Sequence, residues 1–160
     1  MKGFSTHLSV AITFLAVAAA GTWYEGSAII DDPWEWAYST PFSQLLNGEV
    51  LHAGQISQLD HFVYAAKFQP LLPIVMMISV LYIVLLIAYR TFRTDLKRWM
   101  MLLSLTAGMF IVAGVAIANS PTAGGNAFFY FFMGAGGLSL AGVIMCCYLL
   151  NRLKTKAAIS

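Results

Sequence analysis

Apolar residues along this 160-residue chain fall into four long runs rather than at helical or strand periodicity, and the polar residues collect between them. The runs extend roughly from Phe4 to Trp23, Pro70 to Tyr89, Met100 to Asn119 and Ala127 to Leu150, and none contains Asp, Glu, Lys or Arg. At 1.5 Å rise per residue, about 20 apolar residues cover a hydrocarbon core of about 30 Å. Backbone amides in lipid must pair internally, and runs without alternation do not suit barrel strands, so the pattern predicts helices. The expected fold is an all-α membrane protein: a four-helix transmembrane bundle with a long extracytoplasmic loop between helices 1 and 2, itself containing a short amphipathic helix. The whole chain, 1–160, is expected to form one integral membrane domain with residues 24–69 as its outer cap.

Composition narrows the alternatives. A hydrophobic content of 59% and a mean hydropathy of +0.75 leave too little polar surface to cover a soluble core made of these runs. The charges are sorted by sign. Lys2 precedes the first run, Arg90, Arg93, Lys97 and Arg98 fill the link between the second and third, and Arg152, Lys154 and Lys156 follow the fourth. Glu25, Asp31, Asp32, Glu35, Glu49 and Asp60 gather in the first connector, where Lys67 is the one basic residue; Asp95 is the one acid among the basic segments. The positive-inside rule then places both termini and residues 90–99 in the cytoplasm, with 24–69 and 120–126 outside. Trp23, Trp34, Trp36 and Tyr38 mark the outer boundary, and Tyr89, Trp99 and Tyr148 the inner one. Lys2 and the Ala18-Ala19-Ala20-Gly21 stretch also resemble a signal peptide, but the first run is expected to stay as an anchor; cleavage would leave three helices and an outward amino terminus. A net charge of +2 spread over three short segments suits anionic lipid, not nucleic acid.

Within the runs, small residues predict the helix contacts: Ala16 with Ala20, Gly114 with Ala118, and Gly137 with Ala141. These faces also offer a route to oligomers. The aromatic run Phe128 to Phe132 is expected to face lipid, and adjacent Cys146 and Cys147 point about 100° apart, which opposes a disulfide between them. No row of intramembrane charges suggests transport, and His7 is read as making one local hydrogen bond. Pro70 and Pro73 mark the start of the second helix.

The first connector, about 46 residues, is too long for a simple link. Asp31-Asp32-Pro33 reads as a turn, Pro41 to Leu46 as a helical turn ended by Asn47-Gly48, and Gly48 to Ile56 as room for a short strand pair. Ser57 opens a helix with Asp60 three residues on, a capping-box variant, and Leu59, Phe62, Val63 and Ala66 define its apolar face. Candidate ligand or metal residues are Asp31, Asp32, Glu35, His52, Asp60 and His61, with Glu49 nearby, although no HExxH or EF-hand spacing is present. No cofactor is expected, and no catalytic motif stands out.

The stretch Trp34-Glu35-Trp36-Ala37-Tyr38-Ser39-Thr40-Pro41-Phe42 and the stretch from Ile56-Ser57-Gln58-Leu59-Asp60-His61 through Phe62-Val63-Tyr64-Ala65-Ala66-Lys67-Phe68 resemble a family of small uncharacterised four-helix membrane proteins of Gram-positive, spore-forming bacteria. The resemblance implies a bacterial plasma membrane and no established activity. The layout is also similar to claudin-type tetraspans, by analogy of arrangement only. Its tryptophans do not reproduce the claudin Trp-Gly-Leu-Trp element, and its loop has no cysteine.

The expected function is that of a non-catalytic accessory or interaction protein, presenting an acidic, aromatic cap to another membrane protein or an extracellular peptide. Trp34, Trp36, Tyr38, Phe42, Phe62 and Tyr64 are the expected contacts, because aromatic side chains dominate many interfaces. The same rings could fasten the cap to lipid. The alternative is a membrane hydrolase or transferase with an outward-facing site at Asp60 and His61.

Overall fold

A computed structural model describes residues 2–92 and 94–159. Met1, Arg93 and Ser160 lie outside the described residues, as do the side chains of Lys2, Lys154 and residues 156–159, so the expected cytoplasmic charges at Lys2, Arg93, Lys154 and Lys156 fall outside them. The regular elements among the described residues are all helical, with no strand. Helix α1 (Lys2–Gly26) runs into 3-10 turns at Ser27–Asp31 and Pro33–Glu35. Then come α2 (Trp36–Ser39), α3 (Pro41–Asn47), a 3-10 turn at Ala53–Gln55 and α4 (Gln58–Phe68). Helices α5 (Leu71–Phe92), α6 (Leu96–Ile117) and α7 (Ala123–Ile159) complete the chain. Four helical segments, Gly3–Asp31, Leu71–Phe92, Leu96–Ile117 and Ala123–Leu153, are long and apolar enough to cross a membrane.

Local chemistry explains several boundaries. Asp95 accepts the backbone N–H groups of Lys97 and Arg98, at 3.1 and 3.2 Å, so α6 begins at Leu96, four residues ahead of its apolar run. Gly48 adopts φ 77, a conformation open to glycine without strain, and its N–H donates to the Gln44 carbonyl to close α3. The strand pair expected in 48–56 does not form. Gln55 instead accepts the Leu51 N–H on its side-chain oxygen at 2.8 Å, and Ile56 N–H donates to the Ala53 carbonyl, so these backbone donors are satisfied locally.

The chain packs as two compact units. The first comprises Met1–Ile83 and Ser120–Ala127. In it α4 lies along the end of α1, whose buried positions are Ala11, Ala18, Thr22 and Gly26. Ala16 and Ala20, the expected contact pair, are exposed. The close approaches occur at other small residues: a Cβ on Gly26 would overlap the His61 carbonyl, and one on Gly124 would overlap the Ala66 carbonyl.

The second unit comprises Val84–Asn119 and Phe128–Ser160. Gly114 lies against Met133, and Gly136 against Ile111. Gly137, Ala118 and Ala141 are exposed, so the expected pairings at these positions are replaced by ones displaced along or around the helix. The run Phe128 to Phe132 does not simply face outward either. Phe110 stacks on Phe132 at 5.7 Å between ring centroids and meets Phe131 edge-on, leaving Tyr130 as the exposed member.

Candidate functional site

The cap between α1 and α5 is organised by a buried carboxylate. Ser57 caps α4, its hydroxyl accepting the Leu59 N–H, which puts Asp60 in the first helical turn. A capping box would turn that acid back to Ser57. Here the Ser57 N–H donates to the Ser43 hydroxyl at 2.7 Å, and Asp60 is released to a different helix. Its oxygens accept the N–H groups of Phe42 and Ser43, each at 2.9 Å, and the Ser43 hydroxyl as well. Asp60 thus caps α3 from 17 residues away, where Thr40 supplies no side-chain cap of its own.

A second cluster joins the start of the cap to its end. Lys67 on α4 donates to the Glu35 carboxylate and, at 3.1 Å, to the Ser39 hydroxyl, which itself donates to Glu35 at 2.6 Å. The ammonium also lies 5.0 Å from the Phe68 ring centre and 5.9 Å from that of Tyr38. Burial alone would raise the Glu35 carboxyl, but the Lys67 and Ser39 contacts more than offset it, and the group sits below its ordinary value. Tyr64, whose hydroxyl faces Asp32 at 3.4 Å, is raised by burial and by that carboxylate.

Trp36 and Gln44 tie α2 to α3. The Trp36 indole donates to the Ile29 carbonyl at 2.8 Å, and the Gln44 amide nitrogen donates to the carbonyls of Trp36 and Ala37 at 3.1 and 2.9 Å. Where α4 crosses α1, His61 is buried beside the Trp23 ring, with centroids 5.8 Å apart. Burial pushes the imidazole below its ordinary value, with the Trp23 backbone and the Asp60 charge opposing. Thr22 Oγ1, Glu25 Oε2 and His61 Nδ1 are buried polar atoms without a hydrogen-bond partner.

In the resulting cap several polar groups are buried and several large apolar side chains lie outside. Thr22, Ser39, Thr40, Ser43 and Asp60 are fully buried, while Trp34 is 81% exposed, Leu45 83%, Leu46 78% and Tyr38 69%. Helix α3 shows the inversion most plainly, with Ser43 inward and Phe42, Leu45 and Leu46 outward. Helix α4 departs from its expected face in the same sense: Asp60, His61 and Ala65 are buried and Leu59 is 53% exposed. Hydrogen bonding to α3 and the close approach at Gly26 set its rotation, overriding the apolar pattern.

The expected contact residues therefore divide. Trp34, Tyr38 and Phe42 face outward, whereas Trp36, Phe62 and Tyr64 are half-buried, with Trp36 and Tyr64 bonded within the cap. Leu45 and Leu46, which the sequence reading passed over, belong to the outward face; their position next to Ser43 and Gln44 in a two-turn helix was the available signal. Among the expected ligand residues, Asp31 and His52 are exposed and separate from the Glu35 and Asp60 clusters, and Asp32 faces Tyr64. Among the described residues no three His, Cys, Asp or Glu side chains come together as a metal site. Asp60 and His61, the pair expected at an outward-facing site, are both buried, and the Asp60 oxygens accept from α3.

Residues 5–92 match the family DUF4306, described as a domain of unknown function. A Bacillus subtilis (strain 168) protein described as uncharacterized protein YjdJ is 41% identical over 87 residues, which cover 52% of this chain and 80% of that protein. No solved structure matches. The family match takes in the cap and the helices on either side of it, and stops ahead of α6.

Proposed function

This chain belongs to the DUF4306 family, and from the cap geometry we propose a non-catalytic membrane interaction protein whose outward cap docks another membrane protein. The helices form a four-helix transmembrane bundle in the bacterial plasma membrane, with both termini cytoplasmic and the cap outside. The charge sorting along the chain and the Bacillus relative support this placement. One observation carries the functional reading: the cap buries the Asp60 carboxylate with the Ser39, Thr40 and Ser43 hydroxyls and turns Trp34, Tyr38, Phe42, Leu45 and Leu46 outward. Burying a Leu side chain is worth about 1.5–3 kcal/mol, so Leu45 and Leu46 together leave roughly 3–6 kcal/mol unrealised until something covers them. A patch of that kind on a folded domain marks a contact surface. Both Asp60 oxygens and the Lys67 ammonium are engaged within the cap, which favours recognition over catalysis at this face.

The test is co-purification from the native membrane in mild detergent, comparing the wild type with Leu45→Ser/Leu46→Ser. The expected result is a stoichiometric membrane-protein partner that is lost from the double variant while the amount and insertion of the chain are unchanged. Equal recovery with both chains, or recovery of lipid alone with photo-crosslinkers at Trp34 and Leu45, would overturn the reading in favour of a cap resting on the bilayer.

A further inference from the structure

A cavity of about 380 Å³ opens on the cap where the Pro33 turn meets the end of α3, within the size range of small-ligand pockets. Pro33, Trp36 and Val50 give it apolar and aromatic walls, and Gln44 and Glu49 supply its side-chain polarity. The hydrogen bonds already described fix what those groups can offer. The Trp36 and Ala37 carbonyls only accept, so they hold the Gln44 amide with its nitrogen toward them, and the group Gln44 has left is its acceptor oxygen. Gly48, at φ 77, turns the chain at the end of α3 so that Glu49 joins the same lining. The Glu49 carboxylate is exposed and has no Lys or Arg within ion-pair distance among the described residues, and Lys67, the basic residue of the cap, is engaged with Glu35. Anchored through its ring nitrogen to Ile29, the Trp36 indole is held in place.

The side chains that line this cavity therefore present a carboxylate, an acceptor oxygen and a fixed aromatic ring, beside a short apolar wall. We propose that it is a binding subsite for a Lys or Arg side chain, with the alkyl stem against Pro33, Trp36 and Val50 and the cationic head at Glu49 and Gln44. Such a head satisfies carboxylate and amide oxygen together and gains from an adjacent indole, while its stem covers apolar surface. A bare divalent cation is a poorer match, since it needs several oxygen ligands and one carboxylate supplies few. The proposal rests on the cap being a recognition surface and names the chemistry of what it recognises: a basic residue flanked by apolar ones, which would cover Leu45 and Leu46 as the cation enters.

The experiment uses the full chain in detergent micelles with two peptides, acetyl-Leu-Lys-Leu-Leu-amide and its norleucine counterpart, followed through the indole N–H resonance of Trp36. The lysine peptide is expected to bind about tenfold more tightly than the norleucine peptide, as the loss of one charge-assisted hydrogen bond implies. Glu49→Gln should remove that preference and Glu49→Asp should keep most of it. Glu49 is exposed, so both variants are expected to fold, which circular dichroism checks. Equal affinity for the two peptides, no binding of either, or an unchanged preference in Glu49→Gln would each overturn the subsite. The co-purification result at Leu45 and Leu46 is read separately, so a wrong subsite and a wrong interaction surface give different outcomes.

Discussion

Asp60 and Ser43 are joined twice, through the backbone N–H and through the hydroxyl of the serine, and this pairing fastens α3 to α4. Replacing Asp60 by Asn puts an amide donor against at least one N–H that now meets an oxygen. A buried donor left without an acceptor costs about 1–3 kcal/mol, and more when the lost partner was charged. Asp60→Asn is expected to lower cap stability by about 2–4 kcal/mol. Limited proteolysis of the 40–57 segment, faster in the variant, and thermal unfolding in micelles would measure it.

Gly26 offers a sharper steric test, because the obstacle to a side chain there is backbone. Gly26→Ala would push α4 away from α1 at the His61 carbonyl. Overpacking typically costs about 1–3 kcal/mol, and with an immovable neighbour the upper end is expected. Gly108 on α6 has open space to 4 Å where a Cβ would sit, so Gly108→Ala should be neutral or gain about 0.5–1 kcal/mol from helix propensity. Similar losses at both positions would contradict the packing described.

Thr22 reverses the usual direction of a buried substitution. Its hydroxyl is enclosed without a hydrogen-bond partner, so Thr22→Val removes an unpaired polar atom at nearly constant shape. A gain of about 1–2 kcal/mol is expected in thermal unfolding. A loss instead would show that the hydroxyl is hydrogen-bonded in the folded protein.

Stability of the cap should fall as the pH falls, in two stages. His61 is lowered from its ordinary 6.5, so the unfolded chain takes up this proton first and the loss begins near pH 6.5. Glu35 is lowered from 4.5 by its contacts with Lys67 and Ser39, and its contribution, complete above that value, disappears as the pH drops through the folded value. Melting temperatures of wild type and His61→Gln between pH 7.5 and 5 should separate the stages, with the variant flatter over this interval.

Length, composition and glycine placement made the helices legible: four uncharged runs became four long helices, and Asn47-Gly48 and Ser57 ended and opened the elements expected of them. The interior of the cap was much less so. Asp60 follows Ser57 at capping-box spacing, yet its partners are 17 and 18 residues away, and no local pattern announces a carboxylate that caps another helix. The same limit hid the pairing of Glu35 with Lys67 across 32 positions. Apolar periodicity misled for α4 because it assumes that the buried face is the oily one, and here Asp60 and His61 share the inside with Ala65. Small-residue spacing likewise identified Gly114 but not its neighbours in space, since four-residue repeats such as Ala16 and Ala20 arise readily in alanine-rich helices that present them outward.

Because the Gly26 backbone meets the His61 backbone with no side chain to act as cushion, the end of α1 and the cap are coupled as one lever. A load applied at the tip of α3 would reach α1 through Asp60 and α4 as torque, with little give along the way.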